Sequence, residues 1–299
     1  MTLNQLKYAI VVSESESFNI AAKKLYISQP SLSTSIHALE EVGIQIFRRS
    51  QNGIAVTPDG KEFLGYARQV MEQFELLDAR YISKSDVKKK FSVSMQHYTF
   101  AVNAFVELVR QYGMDEYEFA VHETKTHEVI EDVRNGKSEI GILYLNDFNR
   151  KVLEKIFAES AIEFHPLLEC NVYVYMSNTH PLAKKESISL EELKDYPCLS
   201  FDQGEYNSFY YAEEVLSTYE YKQLIKANDR ATMLNLMVGL NGYTLCSGII
   251  CEELNGDKYC AVKLDSDEQM EIGYISRKGA TISTIGQKYL EEISKSKAL

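Results

Sequence analysis

Ala21-Ala22-Lys23-Lys24-Leu25-Tyr26-Ile27-Ser28-Gln29-Pro30-Ser31-Leu32-Ser33 runs from one short amphipathic helix into another through a tight turn. Ala21, Ala22 and Leu25 make one apolar face, which predicts a helix from about Asn19 to Tyr26. Ser28 is a good N-cap, and Pro30 is tolerated in a first helical turn, where backbone N–H groups lack partners anyway. Leu32, Ile36 and Leu39 continue inward at spacings of 4 and 3, so a further helix is expected to end near Val42-Gly43. Before this pair, Leu3, Leu6 and Ile10 predict another helix, and Ser17 and Phe18 mark its close.

Two short helices joined by a tight turn, the second with polar residues outward, form a helix-turn-helix whose second helix enters a major groove. Its outward residues are Gln29, Ser31, Ser33, Thr34 and His37. Glutamine pairs bidentately with adenine, while serine and threonine serve bases or phosphates. An ordinary solvated helix face has the same pattern. Phe47-Arg48-Arg49 then precedes Asn52-Gly53, a strong hairpin signal, and Ile54-Ala55-Val56. This reads as a small β-wing whose Arg48 and Arg49 reach phosphates or a minor groove, or as a plain basic surface pair.

From Asp59 to about Tyr81, Phe63, Ala67, Val70, Phe74, Leu77 and Tyr81 recur at alternating spacings of 4 and 3. That seam suits a partner helix in a coiled-coil dimer, or the helix's own domain. Ser83 to Lys90 is polar and charged and reads as a hinge.

These residues resemble the LysR-type transcriptional regulators. The resemblance lies in Ala21 to Ser33, Leu39-Glu40, Phe47-Arg48-Arg49 and Val56-Thr57-Pro58-Asp59-Gly60, in the family's order and spacing. It implies an N-terminal winged helix-turn-helix over 1–58, a linker helix and hinge over 59–90, and an effector-binding domain over 91–299. That domain is α/β, built of two subdomains like a periplasmic binding protein, the first from 91–165 and 268–299 and the second from 166–267. His180-Pro181-Leu182-Ala183 is similar to a frequent family signature in the second. Many members carry Arg at the position of Thr34 and a basic residue at His37. With neither here, base reading is expected from Gln29 and Ser33, apolar contact from Pro30, and phosphate anchoring from Ser31, capped by Ser28, and from Arg48 and Arg49.

Beyond residue 90 strand and helix patterns alternate, which predicts a mostly parallel sheet with covering helices. Strands are expected at Phe91–Met95, Tyr117–His122, Ile140–Tyr144, Leu167–Met176, Cys198–Phe201, Leu224–Ala227, Tyr243–Cys246 and Met270–Ser276. Helices are expected at Thr99–Tyr112, around Val129–Val133, at Asn149–Glu159, from a capping box at Ser189-Leu190-Glu191-Glu192, and at Tyr206–Tyr219, Ala231–Gly239 and Ile282–Ile293. In doubly wound folds, ligands sit at strand carboxyl ends beside helix N-termini. Three such places are Gln96-His97-Tyr98-Thr99, Thr124-Lys125-Thr126-His127, and Phe201-Asp202-Gln203-Gly204 with Cys246-Ser247-Gly248 nearby. The effector-binding candidates are therefore Gln96, His97, Tyr98, Thr99, Thr124, Thr126, Phe201, Asp202 and Ser247. Thr99 and Thr126 have a plainer reading as helix caps. Tyr206, Phe209, Tyr210 and Tyr211 either wall the cleft or pack.

Charge is divided unevenly. Residues 1–90 hold 12 Lys+Arg against 10 Asp+Glu, and the rest 20 against 33, so a mildly basic module precedes an acidic body. No run of apolar residues is long enough to span a membrane, and the opening residues lack a signal-peptide pattern, which leads to a cytoplasmic expectation. Five cysteines, Cys170, Cys198, Cys246, Cys251 and Cys260, with no CxxC spacing, indicate neither zinc nor a disulfide framework. No metal, cofactor or catalytic constellation is indicated, so an enzyme is not expected. The leading reading is a DNA-binding transcriptional regulator controlled by a small polar effector, anionic or an amino acid, held between the two C-terminal subdomains. Its expected partners are double-stranded operator DNA, a second copy or three (homodimer or homotetramer), and RNA polymerase. The rivals are a cytoplasmic small-molecule-binding protein without DNA function and a thiol-based redox-sensing regulator.

Overall fold

A computed structural model describes residues 1–15, 17–41, 43–50, 53–78, 88–113 and 115–296. The chain divides into two compact units, one built from Met1–Lys88 and Arg134–Gly136 and the other from Lys89–Val133 and Lys137–Leu299.

In the first unit, α1 (Leu3–Ser13), α2 (Phe18–Lys24) and α3 (Gln29–Glu40) enclose a core of Leu6, Ala9, Val12, Ala21, Leu32, Ile36 and Leu39. Each begins on a hydroxyl cap. Thr2, Ser17 and Ser28 accept from the amides of Gln5, Ile20 and Ser31, which satisfies donors that a helix start would otherwise leave bare. β1 (Phe47–Ser50) and β2 (Gly53–Val56) pair antiparallel, with Ser50 opposite Gly53. The expected turn residue Asn52 lies outside the described residues, as do Val42 and Gln51. α4 (Pro58–Leu77) starts on Thr57, whose hydroxyl accepts from the Gly60 amide at 2.9 Å. A β-carbon at Gly60 would run into the Ile46 carbonyl, so the Thr57-Pro58-Asp59-Gly60 turn requires glycine at its last position. Glu40 Oε1 accepts from the Ile46 and Phe47 amides at 2.8 and 3.0 Å and ties the end of α3 to the wing.

The seam on α4 divides in two. Leu64 and Ala67 are buried in the core of their own unit, with Phe63 and Met71 packed against it. Val70, Phe74 and Leu77 are exposed. The last expected seam residue, Tyr81, and residues 83–87 of the expected hinge lie outside the described residues.

The second unit carries two five- and six-stranded sheets. The first orders β4 (Tyr117–Glu123), β3 (Lys89–Met95), β5 (Ile140–Leu145), β13 (Gln269–Arg277) and β6 (Ile162–Asn171). It is accompanied by α5 (Thr99–Arg110), α6 (Thr126–Arg134), α7 (Arg150–Glu159) and α10 (Thr284–Ser294). The second orders β10 (Leu224–Ala227), β9 (Cys198–Phe201), β11 (Tyr243–Cys246), β7 (Tyr173–Ser177), β12 (Tyr259–Leu264) and β8 (Ser187–Ile188). With it go α8 (Arg230–Leu240) and the short α9 (Glu252–Asn255).

Several expectations need correcting. The sheets are mixed rather than mostly parallel: β13 runs antiparallel to β5 and β6, and β7 antiparallel to β11 and β12. The expected strand Leu167–Met176 is two strands in two sheets, β6 and β7, parted at buried Val172. Strand-forming residues continue on both sides of Asn171, so the pattern carries no mark of the point where the chain leaves one sheet for another. The first sheet therefore keeps the chain to Asn171, beyond the boundary expected at 165, and receives it again at Gln269. The Ser189 amide and hydroxyl do meet Glu192 Oε2, at 3.1 and 3.2 Å, but the segment forms successive turns, not a helix. The expected helix Tyr206–Tyr219 reduces to one 3-10 turn, Phe209–Tyr211.

Two side-by-side strands carry the chain between the sheets. Asn171 pairs with Gln269 at the edge of the first, and Tyr173 with Lys263 at the edge of the second. Between them the Leu264 amide donates to the Val172 carbonyl at 3.0 Å.

Candidate functional site

On the first unit, α3 buries Leu32, Ile36 and Leu39 and turns its other faces to solvent. Ser28, Pro30, Ser31, Thr34 and His37 are exposed, with Gln29 and Ser33 half-buried. The Ser28 hydroxyl serves twice, accepting from the Ser31 amide at 3.2 Å and meeting the Ser31 hydroxyl at 2.7 Å. Arg48 is exposed on β1, paired with Ala55. Arg49 lies on the same strand opposite Ile54. Tyr26 was not foreseen. It sits in the turn between α2 and α3 with φ +54° and is 96% exposed. A left-handed turn presents its ring outward beside the start of α3, and a residue other than glycine there is uncommon enough to stand out.

On the second unit, the strand ends and helix starts singled out in the sequence do converge, but they are occupied by the protein itself. Gln96, after β3, is fully committed. Its Nε2 donates to Thr126 Oγ1 at 2.6 Å, and its Oε1 accepts from the Tyr98 hydroxyl at 2.8 Å and the Tyr144 amide at 3.2 Å. The Thr126 hydroxyl donates onward to the Tyr211 carbonyl at 2.7 Å, and its amide to Gln203 Oε1 at 3.0 Å. Gln203 Nε2 donates to Glu213 Oε1 at 2.9 Å. Glu213 Oε2 accepts from the His97 amide at 2.9 Å and lies 2.8 Å from His97 Nδ1. The result is a buried chain of hydrogen bonds, Tyr98–Gln96–Thr126–Gln203–Glu213–His97, which crosses between the two sheets' segments at Thr126–Gln203 and again at Glu213–His97. Neither Thr126 nor Thr99 caps its helix. Thr99 Oγ1 accepts from Arg230 and, at 3.2 Å, from Asn255 Nδ2, and Arg230 also pairs with Glu123. Thr124 is bonded to Glu128, and the Asp202 amide donates to the Ala227 carbonyl.

Aromatic rings reinforce the seam. His97 stacks on Phe201 with centroids 3.8 Å apart, His127 on Tyr206 at 3.5 Å, and Phe148 on Tyr210 at 4.8 Å. The tyrosine cluster thus packs pairwise against residues of the first sheet's layer.

Beside this seam lies a cavity of about 90 Å³ that opens partly to solvent. It is bounded by His97, Tyr98, Thr99, Phe201 and Ser247 among the residues expected, whereas Gln96, Thr124, Thr126 and Asp202 do not border it. Sequence reasoning missed Glu213, Glu214, Arg230, Thr244 and Asn255. Arg230 carried a signal, because a cation in the first turn of a helix opposes the helix dipole. Glu214 lies 93% out of solvent by its 7% exposure. Burial and the neighbouring Glu213 push its carboxyl up to about 8, against the pull of the Phe201 amide.

The cysteines are free. Burial pushes the thiols of Cys170, Cys198 and Cys246 up to about 11, 12 and 12, the opposite of the lowered values that make a thiol reactive. Among the described residues no cluster of His, Cys, Asp and Glu could hold a metal ion, and no helix is long and apolar enough to cross a membrane.

Residues 3–61 match the model of the bacterial regulatory helix-turn-helix proteins of the lysR family, and residues 97–295 that of the LysR substrate binding domain. An uncharacterized HTH-type transcriptional regulator, YbhD of Escherichia coli, is 24% identical over 96% of this chain and 89% of its own length. AlsR of Bacillus subtilis, an HTH-type transcriptional regulator, is 26% identical over 70% of this chain and 67% of its own. A full-length OxyR variant from Pseudomonas aeruginosa shares the fold with TM-score 0.67 at 19% identity, covering 99% of this chain and 95% of that one. Full-length CbnR, solved with its target DNA, has TM-score 0.54 at 18% identity over 98% and 99%.

Proposed function

Because the chain belongs to the LysR family of bacterial helix-turn-helix transcriptional regulators, we propose that it reads operator DNA with α3 and the wing, and that a small polar molecule in the cleft of the second unit switches it. The observation that carries the DNA half is the arrangement of α3: its apolar side is fully buried while Ser28, Pro30, Ser31, Thr34 and His37 are exposed beside half-buried Gln29 and Ser33. In this reading Gln29 and Ser33 meet base edges, Pro30 makes apolar contact, Thr34 and His37 extend the face, and Ser31, Arg48 and Arg49 hold phosphates. The exposed half of the α4 seam supports assembly into a homodimer or homotetramer, which would set two recognition helices on two half-sites. RNA polymerase is a further partner, and the cytoplasm the place of action.

The switch reading is supported by a cavity bordered by both sheets' segments. A ligand regulates only by binding one arrangement better than another, and a cavity at a seam is placed to do so. An electrophoretic shift with DNA from around the protein's own gene, against random DNA at matched salt, tests the reading. Preferential retention of the cognate fragment is expected; equal retention would leave the chain as a binding protein without operator recognition.

A further inference from the structure

The cavity beside the seam holds two adjacent glutamates in contrasting states. Glu213 is satisfied by three donor groups, the His97 amide, His97 Nδ1 and Gln203 Nε2. Glu214 is less well served: its Oε1 accepts from the Phe201 amide at 3.0 Å and the Ser200 hydroxyl bonds the same carboxyl, while its Oε2 has no hydrogen-bond partner among the described residues. Thr244 Oγ1, on the next strand but one in the chain, is likewise buried without a partner. Both residues border the cavity and are 7% and 8% exposed. Buried polar atoms are nearly always paired, so two unpaired ones on residues that border a single cavity call for a partner from outside the chain.

The helix starts point the same way. An anion would be drawn to free amides at the N-termini of α5 and α6. At the start of α6 the Thr126 amide is already held by Gln203, and just ahead of α5 the His97 amide is held by Glu213. The positive group in the cavity, Arg230, is likewise engaged by Thr99 and Glu123. The remaining walls are mostly apolar, with Met233, Leu234, Met237, Ile249 and Ile250 among them beside Ser247 and Asn255.

We propose that the effector cavity takes a small primary amine with an apolar body, its nitrogen donating to Glu214 Oε2 and Thr244 Oγ1 and its body lying on the methionine-lined wall. This rests on the reading of the cavity as the effector site and names the chemistry that site selects. It narrows the earlier expectation of an anion or an amino acid to the amino group. The ionisable groups near Glu214 are Glu213, Tyr98, Tyr144, Cys198 and Tyr221; burial pushes the phenols and the thiol up and keeps them uncharged. Glu214 itself, raised to about 8, must give up a proton to meet an ammonium. Amine affinity therefore rises with pH up to about 8 and levels off above it, with proton release near neutrality.

The test uses the full chain and two matched series: isoamylamine, isoamyl alcohol and isocaproate, and phenethylamine, phenethyl alcohol and hydrocinnamate. Thermal shift and calorimetry are expected to show the amines binding at least tenfold more tightly than their alcohol and carboxylate counterparts. Glu214→Gln, which keeps shape, should erase that preference while leaving alcohol binding within about twofold, and Thr244→Val should weaken the amines several-fold. Unliganded melting of each variant separates lost binding from lost folding. Carboxylates binding as well as amines, or amine preference surviving in Glu214→Gln, would overturn the inference and leave the effector reading standing. Silence from all three chemistries would overturn both.

Discussion

Thr126→Val removes one hydroxyl from the middle of the buried hydrogen-bond chain while keeping the side chain's shape. In the parent, that oxygen accepts from Gln96 Nε2 at 2.6 Å and donates to the Tyr211 carbonyl at 2.7 Å. Gln96 is only 1% exposed, so its amide proton is stranded away from water, at about 1–3 kcal/mol. The partly buried Tyr211 carbonyl loses a donor worth about 1 kcal/mol more. The sum, about 2–4 kcal/mol, is a large part of the 5–15 kcal/mol that folded domains typically possess. With a urea slope of about 2 kcal/mol per molar, the midpoint should fall by about 1–2 M. Circular dichroism through a urea titration of unliganded protein reads this directly, and Thr126→Ser should recover most of the loss. A valine midpoint within about 0.3 M of the parent, or a serine variant no better than valine, would show that the hydroxyl does not clamp the two sheets' segments.

In gel shifts, Gln29→Ala should cost about 1–3 kcal/mol at the cognate site and little elsewhere. Arg48→Ala should weaken all sequences alike and lower the salt slope by about one. Phe74→Glu with Leu77→Glu sets charge on the exposed part of the α4 seam and should shift sedimentation toward smaller species; unchanged species at micromolar concentration would remove the seam from the assembly. Thiols raised to about 12 leave Cys198 and Cys246 with thiolate on the order of a thousandfold below that of a free cysteine at neutral pH, so iodoacetamide should label them slowly and mild peroxide should leave DNA binding intact. Rapid labelling of either would revive the redox reading.

The first unit was legible nearly throughout because its signals are local. The cap at Ser28, the apolar spacing at Leu32, Ile36 and Leu39, and the Thr57–Gly60 turn each act within a few residues, whereas Ser17, which reads as a break in the pattern, is the cap of α2. The body was legible where one period ran unbroken, as in Ile140–Leu145 or Arg150–Glu159. It was misread at Tyr206–Tyr219, where Tyr206, Phe209 and Tyr210 fall at helical spacing by coincidence. Those rings are spent singly, Tyr206 on His127 and Tyr210 on Phe148, and the backbone between them follows its partners instead of a helix. The site shows the same division. Strand ends could be located, but whether an amide there is free depends on Glu213 and Gln203, which arrive from more than 75 residues away. Nothing near Thr126 or His97 in the chain announces them.

The paired crossing of the chain at Asn171–Tyr173 and Lys263–Gln269 limits how the two halves of the body can move. Two adjacent strands, bonded to each other up to the point of passage, make a narrow ribbon. A ribbon bends readily across its flat face and resists shear within its plane. A swing about the ribbon is therefore the relative motion that the crossing resists least, and the Gln96–Thr126–Gln203–Glu213 chain, which bonds one half to the other, is placed to latch it. A molecule bound beside that latch would need to supply no direction to the motion; it would only have to change how long the latch stays shut.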